Sequence, residues 1–273
     1  MTVAAPPLDP EYEALTAKIT RDRGFGCASY KDKCVRRRIA VRMRARGVHT
    51  YRDYARVLDR EAGEYDQLLD ALTINVTHFF RNAEAWASLD ALVLAPLVTA
   101  GHAPVRLWSA GCSSGEETYT LAILCHRRAA ALGRRAPAIE ILGTDIDRAS
   151  LEAAERGSYL PAALAEMPPA VRAECMPGSG AVSVSAGVRA LVRFMRHDLL
   201  SEPAPPGSFD VIVCRNVVIY FDRRSQEVLL DKFHGALAPS GALMQGKVET
   251  LVGSTRARFE ALDARERIFR RVP

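Results

Sequence analysis

From residue 105 onward, apolar strand-like runs alternate with amphipathic helical stretches, a pattern that predicts an α/β protein built on a mostly parallel, doubly wound sheet. Two further observations support that class. The run Val105-Arg106-Leu107-Trp108-Ser109-Ala110 stops on the small residues Gly111-Cys112-Ser113-Ser114-Gly115 and enters a helix, as a βα turn does. The next apolar run, Ile139 to Thr144, ends on an acid, Asp145. Residues 1–72 show no strand alternation and read as a small all-helical domain, with 73–273 forming the α/β domain.

Taken in order, the helical domain divides into stretches 12–23, 30–46, 51–59 and 61–72, punctuated by Gly24, Gly26 and Gly47. A loop through Thr77-His78-Phe79-Phe80-Arg81-Asn82 then enters a helix that Pro96 is expected to end. Strands are expected at 105–109, 139–145, 192–195, 209–214 and 242–246, with helices at 116–131, 148–156 and 225–237. Residues 259–262 and 267–270 read as an antiparallel hairpin at the sheet edge. Between 168 and 193, glycine turns and short alternating runs describe either a small antiparallel β insertion or a long irregular loop.

Composition narrows the class. No apolar stretch approaches the roughly 18 residues of a membrane span, and Met1-Thr2-Val3-Ala4-Ala5-Pro6-Pro7 lacks the regions of a signal peptide, so a cytoplasmic protein without direct membrane insertion is expected. The six cysteines form no C-x-x-C pair; they are read as reduced, buried side chains, and no metal site is expected. Residues 31–46 hold eight basic residues and one acid, which exceeds the net charge of +5 for the whole chain. At 100° per residue Lys33, Arg37 and Arg44 share one face of this helix, while Val35, Ile39 and Met43 share another. Such a run is most simply a solvated face; as a functional surface it suits an anionic partner.

The small residues from Ala110 to Gly115 let the backbone approach a ligand, and Asp145 is an acceptor-only group able to take both hydroxyls of a ribose. The alternatives are a tight turn and a cap on the helix after Asp147, and the loop is not the dinucleotide fingerprint G-x-G-x-x-G. The segment Phe209-Asp210-Val211-Ile212-Val213-Cys214-Arg215-Asn216-Val217-Val218-Ile219-Tyr220-Phe221 is a buried strand ending in polar and aromatic pairs. In a doubly wound sheet its end faces the same crevice as Gly111 and Asp145.

This last phrase resembles the S-adenosylmethionine-dependent methyltransferases of bacterial chemotaxis receptors, the CheR family. Three other motifs of that family occur in order: Thr73-Ile74-Asn75-Val76-Thr77-His78-Phe79-Phe80-Arg81, Trp108 to Glu117, and Asp145-Ile146-Asp147. The resemblance spans nearly the whole chain. It implies a Rossmann-like class I methyltransferase sheet with S-adenosylmethionine as cofactor, contacted by Asn75, Thr77, Arg81, Gly111, Glu116 and Asp145, and by Asp198, Leu199, Asn216 and Val217. Asp198 stands where relatives often have asparagine, and Gly246-Lys247-Val248-Glu249 where they read G-H-S-E.

The reaction so implied is methyl transfer to glutamate side chains on chemoreceptor cytoplasmic helices. A glutamate with a pKa of about 4.3 is already ionised at neutral pH and needs no general base, in keeping with His78, His126, His197 and His234, for which no acid partner is expected. The resemblance makes Arg81 and Tyr220 the catalytic candidates, Arg81 holding the carboxylate and Tyr220 walling the methyl site. It makes Lys33, Arg37, Arg38, Arg42 and Arg44 the docking surface for acidic coiled-coil helices of the receptor. A nucleic-acid methyltransferase is the enzyme alternative, but Arg215-Asn216-Val217-Val218-Ile219-Tyr220 stands where base-methylating enzymes carry N-P-P-Y or D-P-P-Y, so no nucleic-acid partner is expected. A cofactor-binding interaction module without turnover is the non-enzymatic alternative.

Overall fold

A computed structural model of the chain describes residues 9–73, 77–100, 104–133, 136–178 and 180–273. It divides into two compact units, one holding the N-terminal helices together with Tyr220–Asp222, the other holding the remainder.

The first unit is a four-helix assembly: α1 (Pro10–Arg23), α2 (Asp32–Ala45), α3 (Tyr51–Arg60) and α4 (Ala62–Leu72). Asp9 caps α1 by accepting from the Glu11 and Tyr12 amides, and Gly24 ends it in the left-handed conformation at φ 71°. The apolar stripe of α2 is buried at Val35, Ile39 and Met43, as are Leu15 and Ile19 of α1, Leu58 of α3 and Leu68 of α4. A polar link sits within this core. Glu64 on α4 is buried, accepts from Arg42 through both Nε (2.9 Å) and Nη2 (2.7 Å), and takes the Tyr54 hydroxyl at 2.7 Å. Burial opposes its charge, but the Arg42 and Tyr54 hydrogen bonds hold its carboxyl below the ordinary value.

The second unit begins with α5 (Ala83–Leu89), a π-helical turn at Asp90–Leu94 and α6 (Ala95–Thr99). Pro96 therefore does not end the helix, contrary to the sequence expectation. It lies in the first turn of α6, where its missing amide needs no partner, and the widened π turn before it absorbs the irregularity. Seven strands follow: β1 (Val105–Ala110), β2 (Ile139–Asp145), β5 (Val192–Arg196), β6 (Phe209–Cys214), β7 (Leu237–Gln245), β8 (Phe259–Asp263) and β9 (Ile268–Arg271). Their order is β5-β2-β1-β6-β7-β9-β8; the first five run parallel, and β9 is antiparallel to both β7 and β8. The expected edge hairpin is thus β8–β9. Crossover helices α7 (Glu116–Leu132), α8 (Arg148–Arg156) and α11 (Arg223–Ala236) connect the parallel strands. Trp108 at the centre of β1 is fully buried against Phe209 and Phe233 and donates its indole N–H to Thr144 Oγ1 at 2.9 Å.

The segment 168–193 carries the expected small antiparallel pairing, together with two short helices that the sequence reading did not include. It forms α9 (Pro169–Cys175), α10 (Ala186–Arg189) and the two-residue β4 (Val182–Ser183), which pairs antiparallel with β3 (Ser158–Tyr159). Pro169 at the helix start and the i, i+4 pair Val171 and Cys175, both buried, favour the helix that the glycines nearby conceal. All six cysteines are free; Cys34 is half-buried and the other five are buried.

Candidate functional site

Parallel pairing aligns the carboxyl ends of the central strands. Ala110 of β1 lies opposite Thr144 of β2, and Cys214 of β6 opposite Gln245 of β7, so the turns after all four strands open on one edge of the sheet. The first turn is pinned to the end of β2. Thr144 O accepts the Gly111 and Cys112 amides at 2.8 and 2.9 Å, and Asp145 Oδ2 accepts the Ser113 amide at 2.7 Å. The other oxygen of Asp145 takes the Asp147 amide at 3.0 Å, while Asp147 itself caps α8. Asp145 is therefore not the helix cap. Burial pushes its carboxyl up, against the pull of the Asp147 and Ser113 amides.

Gly111 sits at φ 80°, and a Cβ there would stand 2.5 Å from Val217 Cγ2, so the turns after β1 and β6 touch only because this residue is glycine. Glu116 is buried at the start of α7 and accepts from Ser114 Oγ at 2.7 Å. Ser113 Oγ is buried without a partner among the described residues. Two buried carboxylates, an orphaned hydroxyl and a close backbone approach form a polar set, chiefly of acceptors, that fits the hydroxyls of a nucleoside.

The turn after β6 is held by a residue that sequence reasoning left without a role. Glu249 accepts four backbone amides: Gly246 (2.6 Å) and Asn216 (3.0 Å) at Oε2, Val217 (3.0 Å) and Ile219 (3.3 Å) at Oε1. Asn216 is fixed there at φ 62°. The available signal was an acid three residues after the glycine that ends β7, and it is the same loop that departs from G-H-S-E.

The expected contacts fall out unevenly. Gly111, Glu116, Asp145, Asn216 and Val217 belong to these turns, and Thr77 is half-buried just ahead of the segment carrying Arg81. Asn75 lies outside the described residues. Asp198 uses its carboxylate on its own turn, accepting Leu200 N (2.9 Å), Ser201 N (3.3 Å) and Ser201 Oγ (2.6 Å), and the Leu199 carbonyl accepts from Lys232. Tyr220 groups with the helical unit, where its carbonyl accepts the Lys31 amide at 2.8 Å and its side chain lines a small cavity with Tyr30, Cys34 and Arg38. Within α2, Lys33, Arg37 and Arg44 are exposed, whereas Arg38 turns to the Ala71 carbonyl and Arg42 to Glu64. His78, read from sequence as unpaired, makes a 2.8 Å contact with Glu166, whose sequence position 88 residues away hid it. Among the described residues no group of three or more His, Cys, Asp or Glu is placed to hold a metal ion.

Both parts of the chain match known protein families. The family described as CheR methyltransferase, SAM binding domain, matches residues 75–268, and the CheR methyltransferase all-alpha domain matches residues 10–73. A chemotaxis protein methyltransferase of Listeria monocytogenes is 34% identical over 248 residues, covering 90% of this chain and 92% of that protein. Chemotaxis protein methyltransferase 2 of Pseudomonas aeruginosa is 34% identical over 248 residues, covering 89% and 87%. A chemotaxis protein methyltransferase of Salmonella typhimurium is 33% identical over 249 residues, covering 88% and 84%.

Proposed function

The chain belongs to the CheR methyltransferase family, and from that premise we propose that it methylates glutamate side chains on chemoreceptor cytoplasmic helices, giving methyl esters. It is a methyltransferase that uses S-adenosylmethionine. The observation that carries the substrate assignment is the match of both family domains, in order, together with full-length relatives named chemotaxis protein methyltransferases.

S-adenosylmethionine, when bound, supplies an electrophilic methyl group on a sulfonium. The chain's own contribution is binding and alignment, which in the best cases lowers a barrier by about 7–11 kcal/mol. Asp145 and Glu116 would accept the nucleoside hydroxyls and Thr77 and Asn75 would complete the cofactor's shell, while Glu249 fixes the Asn216–Val217 turn. Arg81 holds the substrate carboxylate with its planar fork of donors. No proton has to be removed from a carboxylate that is already ionised.

The docking surface is the exposed face of α2, formed by Lys33, Arg37 and Arg44, and it suits acidic receptor helices. Arg38 and Arg42 serve the packing of the helical unit. No helix among the described residues is long and apolar enough to cross a membrane, and we place the enzyme in the cytoplasm, where the receptor helices lie. Incubation with methyl-labelled cofactor and vesicles bearing a methyl-accepting receptor tests the reading. Label on the receptor that alkali releases as methanol is the expected result; label that resists alkali, or none, overturns the ester assignment.

A further inference from the structure

The segment Phe79-Phe80-Arg81-Asn82 is held in a conformation that Phe80 resists. Phe80 and Asn82 lie at φ 54° and 60°, in the left-handed region, which asparagine visits readily but which is strained for a bulky aromatic such as Phe80. Strain of this kind persists only where surrounding groups over-determine it. The holds here come from four separate places. Phe79 N–H donates to Ala163 O (2.9 Å), Phe80 N–H to Thr120 Oγ1 (3.1 Å) and Asn82 N–H to Glu166 Oε2 (2.9 Å). The fourth is Arg215, whose Nη2 donates both to the Arg81 carbonyl (2.8 Å) and to Asn82 Oδ1 (3.0 Å).

Arg215 is an unusual residue to find there. It is 6% exposed, its guanidinium lies 5.2 Å from the centre of the Trp86 ring, and its Nε has no partner among the described residues. A cation so placed is tolerated only with a counter-charge, and Glu117, buried on α7 and accepting from Ser109 Oγ at 2.9 Å, is the first attraction acting on it. Its backbone also directly precedes Asn216 and Val217, which Glu249 clamps. One side chain thus ties the turn after β6 to the carbonyl of Arg81.

We propose that Arg215 is a positioning residue for methyl transfer, holding the Arg81 segment in its strained geometry so that the Arg81 fork meets the substrate carboxylate in line with the methyl group. The inference rests on the reading of Arg81 given above. Lysine at 215 keeps the charge opposite Glu117, but its nitrogen stands one atom nearer the backbone than Nη2, the single nitrogen that donates to both Arg81 O and Asn82 Oδ1, and so it does not reproduce the pair.

The test compares the full-length Arg81→Lys, Arg215→Lys and doubly substituted proteins, by methyl-ester formation on receptor-bearing vesicles and by calorimetric binding of S-adenosylhomocysteine. In Arg215→Lys, kcat is expected to fall about a hundredfold, the scale of an ångström of misplacement, with cofactor affinity and receptor KM within about threefold of wild type. The double variant is expected to be no slower than Arg81→Lys alone, because both changes remove one interaction. A folded Arg215→Lys protein with unchanged kcat, or losses that multiply in the double variant, overturns the inference while leaving Arg81 in place. Wild-type turnover in Arg81→Lys overturns the reading of Arg81 and this inference together. If Arg215→Lys does not fold, the charge-neutral pair Glu117→Gln/Arg215→Met replaces it; retained kcat in that protein refutes the proposal, and loss of kcat with cofactor affinity kept supports it.

Discussion

Asp145 was legible from sequence because it ends a strand beside a small-residue loop, and its neighbours in space are neighbours along the chain or one crossover away. Beyond the ribose contact proposed for it, the carboxylate fastens the Ser113 and Asp147 amides. Asp145→Ala should weaken cofactor binding by about 1.5–3 kcal/mol, as for lost hydrogen bonds to a charged group; unchanged calorimetric affinity in a folded variant removes it from the site. Arg215 was not legible in the same way, because its partner Arg81 lies 134 positions away and no local pattern announces it; for Glu249 the spacing from Gly246 was visible, but its hold on the Asn216 turn 33 positions away was not. Glu117 belongs with these. Burial, against the attraction of Arg215 and the Ser109 hydroxyl, pushes its carboxyl up to about 7. Unfolded, the same group titrates near about 4.3, so the native state binds the extra proton between the two values. Its stabilising contribution is complete below the unfolded value and is lost as pH rises through the folded one. Urea melts of wild type and Glu117→Gln should therefore diverge from pH 5 to pH 8 in favour of the variant; parallel curves would remove Glu117 as the titrating group.

At the scale of elements, α2 shows how far periodicity reaches. It identified the buried stripe of Val35, Ile39 and Met43 and the outward position of Lys33, Arg37 and Arg44. It did not separate those from Arg38 and Arg42, whose inward turn depends on Ala71 and Glu64 of α4. Pro96 was misread for a related reason: proline punctuates a sequence, but a π turn before it reassigns what the punctuation means. Between 168 and 193 the expected small antiparallel pairing is present as β3–β4, while the helix begun by Pro168 and Pro169 was hidden by the glycines nearby. The proposed docking face, narrowed to Lys33, Arg37 and Arg44, makes a sharp prediction. Arg37→Glu with Arg44→Glu should raise the KM for receptor vesicles several-fold, about what two reversed surface charges do to a steered encounter, and leave S-adenosylhomocysteine affinity unchanged. The wild-type rate at subsaturating receptor should also fall as salt is raised. Insensitivity to both would reduce α2 to a solvated face.

For the whole molecule, the sequence placed Tyr220 and Phe221 with the strand phrase that precedes them, whereas the structure assigns Tyr220–Asp222 to the helical unit. The chain therefore returns to that unit long after leaving it, and three residues complete its packing. Lys31 N–H donates to Tyr220 O at 2.8 Å, Asp222 N–H to Ser29 O at 3.0 Å, and the buried Phe221 ring meets Tyr30 edge-on at 5.0 Å between centroids. Since Phe221 fills the helical unit and not the sheet, Phe221→Ala should cost about 3–5 kcal/mol there. Cooperative units open separately when their contacts are separate, so the loss should be regional. Native-state hydrogen exchange should show faster exchange at Lys31, Asp222 and the buried face of α2, with the amides of β1 and β6 as slow as in wild type. An equal loss of protection in both sets would mean that the helices and the sheet unfold as one cooperative body, and that the return of the chain through 220–222 confers no stability on the helices alone.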